Sequence, residues 1–255
     1  MNTIKRKKVL VTVKTYPTPA SKGAEVSCTA GVTENGEWIR LFPIPFRYME
    51  GDKKFSKYQW IEVNTKKSSD YRKESYEVDI DSLKIVSEKI PTKNAWKARK
   101  EIIFPLKANS LCQLKRERIS TGNTLGVFKP RVIQKFIMEK DDADWTPEEK
   151  VKLIQYSMFD KNPLKPLEKI PYRFSYRFNC DEKGCKGHKL ICVDWELGQA
   201  YRQWRKRYKD DWEWRLIERF ETEMILKYDT HFFVGTVHGH PHTWIIIGLF
   251  YPPYE

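Results

Sequence analysis

Four soft metal-ligand side chains fall within thirteen residues near the C-terminus, as Cys180-x4-Cys185-x2-His188-x3-Cys192. Thiolates and imidazole suit a tetrahedral zinc ion, and a tight turn is a natural carrier for them. The intervening Asp181-Glu182-Lys183-Gly184 is polar and turn-prone, and Gly184 and Gly187 permit a backbone that curls round an ion. Cys180, Cys185, His188 and Cys192 are therefore the expected metal ligands and Zn²⁺ the expected cofactor. Its default role is structural, because such a loop has no core of its own. Cys192 has an alternative reading. Its neighbours Leu190, Ile191 and Val193 are apolar, as around a buried strand thiol, and a fourth ligand could instead come from His238, His240 or His242.

In ligand types and length the cluster resembles the zinc knuckles of retroviral nucleocapsid proteins. It departs from them in spacing, since a knuckle has its short gap between the cysteines and its longer gap before the histidine. The chain holds five cysteines, an odd number, and shows no export signal: Met1 to Lys8 is polar and basic, and Val9 to Val13 is short and interrupted by Thr12. A disulfide framework is not expected. No run of about 20 apolar residues is present, so neither a transmembrane helix nor a membrane partner is expected. A cytoplasmic location follows from these readings.

The expected fold is α+β, with a β-rich, barrel-like (OB/PUA-like) N-terminal part followed by a zinc-braced α/β C-terminal part. The expected domains are 1–90 (β-rich), 91–170 (mixed connecting region) and 171–255 (zinc-braced, with a long basic helix and a terminal β-hairpin). Lys8–Val13, Cys28–Val32, Trp38–Pro43, Trp60–Asn64 and Tyr76–Ile80 read as strands. Asn35-Gly36 predicts a type I′ hairpin turn. Ala95–Phe104 and Lys107–Leu114 read as short helices, Gly122–Lys129 as a loop and Val132–Met138 as a strand. Thr146-Pro147-Glu148-Glu149 starts a helix running to about Met158, with a loop at Asn162-Pro163 and Lys165-Pro166. Strands are expected at Tyr172–Phe178 and His188–Trp195, then helix from Glu196 to Tyr228 with a break near Asp210. Phe232–Val237 and Trp244–Phe250 close a hairpin with a His-rich tip.

Charge directs the functional reading. The 47 Lys/Arg against 34 Asp/Glu give +13, an excess that favours a polyanionic partner, nucleic acid foremost. The cations are clustered. Segment 92–118 carries eight Lys/Arg, among them Lys97, Arg99 and Lys100, against two Glu. Arg202, Arg205, Lys206 and Lys209 share one face of the predicted helix, with Trp204, Tyr208 and Trp212 on a stripe that reads as core. In the N-terminal part Arg40 and Arg47 bracket an aromatic strand whose Trp38 or Phe42 could stack on bases. The expected function is a DNA- or RNA-binding accessory or reader subunit, with other protein subunits as further partners.

Two other readings compete. A metal-dependent nuclease or nucleic-acid-modifying enzyme would use Asp194, Glu196 and His240, although Asp194 also suits a helix cap with Glu196 in the first turn. A basic protein–protein scaffold would meet an acidic partner. P-loop, Rossmann, α/β-hydrolase and zincin motifs are absent from the sequence, which disfavours those chemistries.

Overall fold

A computed structural model describes residues 3–20, 25–157 and 167–254. The expected loop at Asn162-Pro163 and Lys165-Pro166, and the helix end at Met158, lie outside the described residues. The chain divides into two compact units: 1–71, 75–89 and 140–172 form the first, and 72–74, 90–139 and 173–255 the second. The expected connecting region is thus shared between them.

In the first unit, β1 (Lys5–Lys14), β2 (Thr18–Pro19), β3 (Glu25–Thr33), β4 (Trp38–Ile44), β5 (Trp60–Lys67) and β6 (Ser75–Ile85) form one sheet in the order β1-β5-β6-β4-β3-β2. A further β1–β3 pairing closes it into a five-stranded barrel. Aliphatic residues on alternating positions line the interior: Val9, Val11, Ile39, Leu41, Ile61 and Val63 are at most 1% exposed. Each contributes about 1.5–3 kcal/mol relative to exposure. Closure depends on Gly31, where a Cβ would collide with the Leu10 carbonyl of the adjoining strand.

The β3–β4 turn differs from expectation. Only Gly36 takes a positive φ, +76°, whereas a type I′ turn needs two such residues. Its N–H bonds the Thr33 carbonyl at 3.0 Å, so Gly36, and not Asn35, absorbs the reversal.

The second unit begins with α1 (Lys93–Ile103), whose first turn is left-handed at Asn94, Ala95 and Trp96. β7 (Lys107–Ala108) follows, then α2 (Leu111–Thr121) and β8 (Leu125–Phe128). Two expectations are corrected here. Lys107–Leu114 is not one helix, because Ser110 caps at its middle, its Oγ accepting the Gln113 N–H at 2.8 Å. Gly122–Lys129 is not all loop. Gly122 ends α2 with φ +72°, and the four residues after Thr124 are a fully buried strand.

β9 (Val132–Lys140) comes next. In the first unit, α3 (Pro147–Ser157) starts with the expected cap, Thr146 Oγ1 accepting from Glu149 N at 3.3 Å and Glu149 Oε2 accepting from Thr146 N at 3.0 Å. β10 (Tyr172–Asn179), β11 (His188–Ile191), α4 (Trp195–Tyr208), α5 (Trp212–Ile217), α6 (Glu223–Leu226), β12 (His231–Val237) and β13 (His240–Phe250) complete the chain. The expected strand His188–Trp195 stops at Ile191, where Asp194 begins the helix. A 3₁₀ turn at Lys209–Asp211 breaks the helical run, and a π-helical turn occupies Glu218–Thr222.

The core of this unit is aromatic. One sheet runs β11-β10-β9 and the other β13-β12-β8-β7. Between them Phe178 lies 5.6 Å from Phe128 and 5.3 Å from Phe232, and Tyr176 lies 5.0 Å from Phe232. The Tyr176 hydroxyl donates to the Phe220 carbonyl at 2.7 Å, satisfying a backbone acceptor of the π-helical turn.

Candidate metal centre and basic surfaces

Helix α2, the β10–β11 turn and strand β11 of the second unit converge on one point. α2 supplies Cys112 from its first turn, the turn supplies Cys180, directly after β10, and Cys185, and β11 begins with His188. Their ligand atoms all lie within 4.8 Å of one another. His188 Nε2 is 3.2 Å from Cys112 Sγ and 3.4 Å from Cys185 Sγ. Around a shared zinc, Zn–S near 2.3 Å and Zn–N near 2.0–2.1 Å in a tetrahedron put neighbouring ligand atoms about 3.5–3.8 Å apart. Three thiols and an imidazole at these separations can hold a metal ion, and among the described residues this is the one Cys/His/Asp/Glu cluster that can.

The loop is built for convergence. Gly184 and Gly187 both take φ +86°, as their place in the sequence predicts. Glu182 pins the loop to α2: its carboxylate pairs with Arg116 and accepts from Ser110 Oγ at 2.7 Å. Those two partners hold the Glu182 carboxyl below the usual range. α2 itself approaches β8 closely at Gly126, where a Cβ would meet the Leu114 methyls at 2.7 Å.

The three thiols of this group do not ionise independently. Burial, then the neighbouring Cys180 and Cys185, pushes the Cys112 thiol up to about 12. Burial also raises Cys180. Burial pushes Cys185 up, but the N–H groups of Cys180 and Gly187 together with the Cys112 and Cys180 thiols bring it down overall. Adjacent thiols resist ionising together, and a divalent ion reverses that penalty. Burial, then Lys115, lowers His188, which keeps the imidazole neutral as a ligand must be.

Cys192 is replaced by Cys112 in this group. Cys192 lies four residues beyond His188 along an extended chain, about 13 Å away at 3.3 Å per residue. It is 3% exposed and its backbone bridges to Ile246. Sequence spacing missed Cys112 because the contact is tertiary; the signal available was an unassigned cysteine in a chain with too many for a strand core alone.

The histidine tip does not gather. His238 and Gly239 form the turn, while His240 and His242 lie exposed on β13. His242 Nδ1 sits 3.4 Å from Arg118. Asp194 acts as a cap: Oδ1 accepts from Glu196 N at 2.7 Å and Leu197 N at 3.3 Å, and Oδ2 accepts from Leu249 N at 3.1 Å. Glu196 Oε2 accepts from Tyr251 OH at 3.3 Å. Both carboxylate oxygens of Asp194 thus accept from backbone N–H groups.

The predicted cations separate into buried and exposed sets. Arg40 is 2% exposed, on the outer face of β4 with Nη1 3.5 Å from Cys28 Sγ, and so leaves the surface set. Arg47 pairs with the buried Glu25 at 2.7 Å. Arg99, 4% exposed, donates through Nε and Nη2 to the Ile90 carbonyl at 2.9 and 2.6 Å. Lys97 is exposed and Lys100 half-buried. On α4, Arg205 and Lys206 are exposed and Arg202 half-buried. Lys209 follows the last helical residue with φ +47°, so it stands at the break and does not extend the face. Trp204 packs on Phe220 and Trp212 on Tyr201, as a core stripe should. Phe42 is 44% exposed and Trp38 half-buried.

Residues 107–255 match the family described as Domain of unknown function (DUF8757), and the chain belongs to that family. Residues 5–105 match a second one, described as Domain of unknown function (DUF8758). No curated protein matches the chain. Among solved structures, a murine DNA-binding protein bound to double-stranded DNA aligns over 98% of this chain and 97% of its own, at 12% identity and a TM-score of 0.36. A likeness at that score carries no argument for fold or function. No helix among the described residues is long and apolar enough to cross a membrane.

Proposed function

We propose that this protein binds nucleic acid non-catalytically, as an accessory or reader subunit, and that Cys112, Cys180, Cys185 and His188 hold a structural zinc ion. The observation that carries the reading is the metal-ligand group itself. It clips α2 to the β10–β11 turn, and both pieces are rich in Lys and Arg: Lys115, Arg116 and Arg118 on one side, Lys183, Lys186 and Lys189 on the other. A complete set of four protein ligands is the pattern of structural zinc sites, whereas catalytic sites keep a position open. The capping role of Asp194 further favours a reader over a nuclease. All five cysteines are free thiols, which fits a reducing cytoplasmic setting.

The exposed cations of α4 give the first test. Replacing Arg202, Arg205 and Lys206 with Glu is expected to weaken oligonucleotide binding by about tenfold or more and to flatten its salt dependence. Fluorescence anisotropy over a salt series reads both. Unchanged affinity would remove α4 from the interface, and a wild-type protein that binds neither DNA nor RNA at physiological salt would overturn the reading.

A further inference from the structure

We propose that the solvent face of the β9–β10–β11 sheet, continued by the metal-binding turn, is the surface on which the nucleic-acid backbone docks. The inference rests on the nucleic-acid reading above and deepens it by assigning a surface that none of the charge clusters in the sequence marks. Along β10, Phe174, Tyr176 and Phe178 point into the aromatic core, so Arg173, Ser175 and Arg177 take the opposite face, the small Ser175 buried between two exposed arginines. Register places Lys189 of β11 directly across from Arg177. Beyond His188 the same edge runs into the turn, with Lys183 and Lys186 exposed on it.

Like charges directly opposite on neighbouring strands destabilise a sheet. The Arg177–Lys189 pair therefore carries a local cost that the Glu139 carboxylate offsets in part, and a row of phosphates would relieve the remainder. Acidic compensation is thin. Glu139 pairs with Lys189 at 2.6 Å, Asp181 lies 4.0 Å from Arg131, and Glu182 is committed to Arg116 and Ser110. An extended cationic stripe on a sheet that a metal ion stiffens matches a regularly spaced polyanion better than a compact acidic patch.

The test uses the zinc-loaded full chain and short labelled single- and double-stranded DNA and RNA, with anionic phospholipid vesicles as a second probe. Arg177→Glu is expected to weaken oligonucleotide binding about tenfold or more and to lower the salt slope by about one unit. The same change puts opposite charges across the strand pair, so thermal stability should hold or rise. Arg177→Lys should retain binding. A folded R177E protein with wild-type affinity, alongside an α4 variant that has lost it, would overturn the sheet assignment and leave the nucleic-acid reading standing. Wild-type protein that ignores every oligonucleotide, or binds only the vesicles, would overturn both.

Discussion

His231 is 1% exposed, with Nδ1 2.8 Å from the Asp229 carbonyl, which makes Nδ1 the protonated nitrogen. Burial pushes its pKa down to about 4; Asp229 opposes the shift, and Lys107 and Lys129 reinforce it. Between pH 6.5 and 4 the unfolded chain therefore binds the extra proton and the folded chain does not. Stability falls as pH drops through that window, by about 3 kcal/mol once both states are protonated. His231→Gln should flatten the dependence in thermal melts recorded from pH 7 to pH 4; an unchanged slope would place the titration elsewhere. Asp194→Ala, by removing a cap and stranding the Leu249 N–H, should cost about 1–3 kcal/mol in urea unfolding. A loss below measurement would contradict the capping role.

At the level of elements, period-two patterning was informative and tertiary contact was not. β1, β3, β4, β5 and β6 each contain an expected strand, and the closure of five strands into a barrel follows the barrel-like expectation. β8 escaped because four residues between Gly122 and Lys129 are too few for a periodic signal. Cys180, Cys185 and His188 were legible as candidate ligands because they lie close together in sequence around one turn; Cys112 was not, because α2 must first dock. Docking depends on Gly126. Gly126→Ala drives a Cβ into Leu114, which is 7% exposed, and should cost about 1–3 kcal/mol while loosening the Cys112 ligand. Thermal melts with and without a chelator check this, and a variant as stable as wild type would show that α2 can shift freely.

For the molecule as a whole, the +13 charge named a class of partner, but only the structure separates buried cations such as Arg40 and Arg99 from those facing water. It also moves attention from sequence clusters to a sheet face, where Arg177 and Lys189 meet from different strands. A bound metal would tie that face to α2, so metal content bears on the entire account. The most direct measurement is zinc per chain by elemental mass spectrometry after purification and dialysis, on wild type, Cys112→Ser and Cys192→Ser. One zinc per chain is expected in wild type, the same in C192S, and a clear loss in C112S. Wild-type protein without stoichiometric metal, or zinc lost from C192S and kept in C112S, would contradict it.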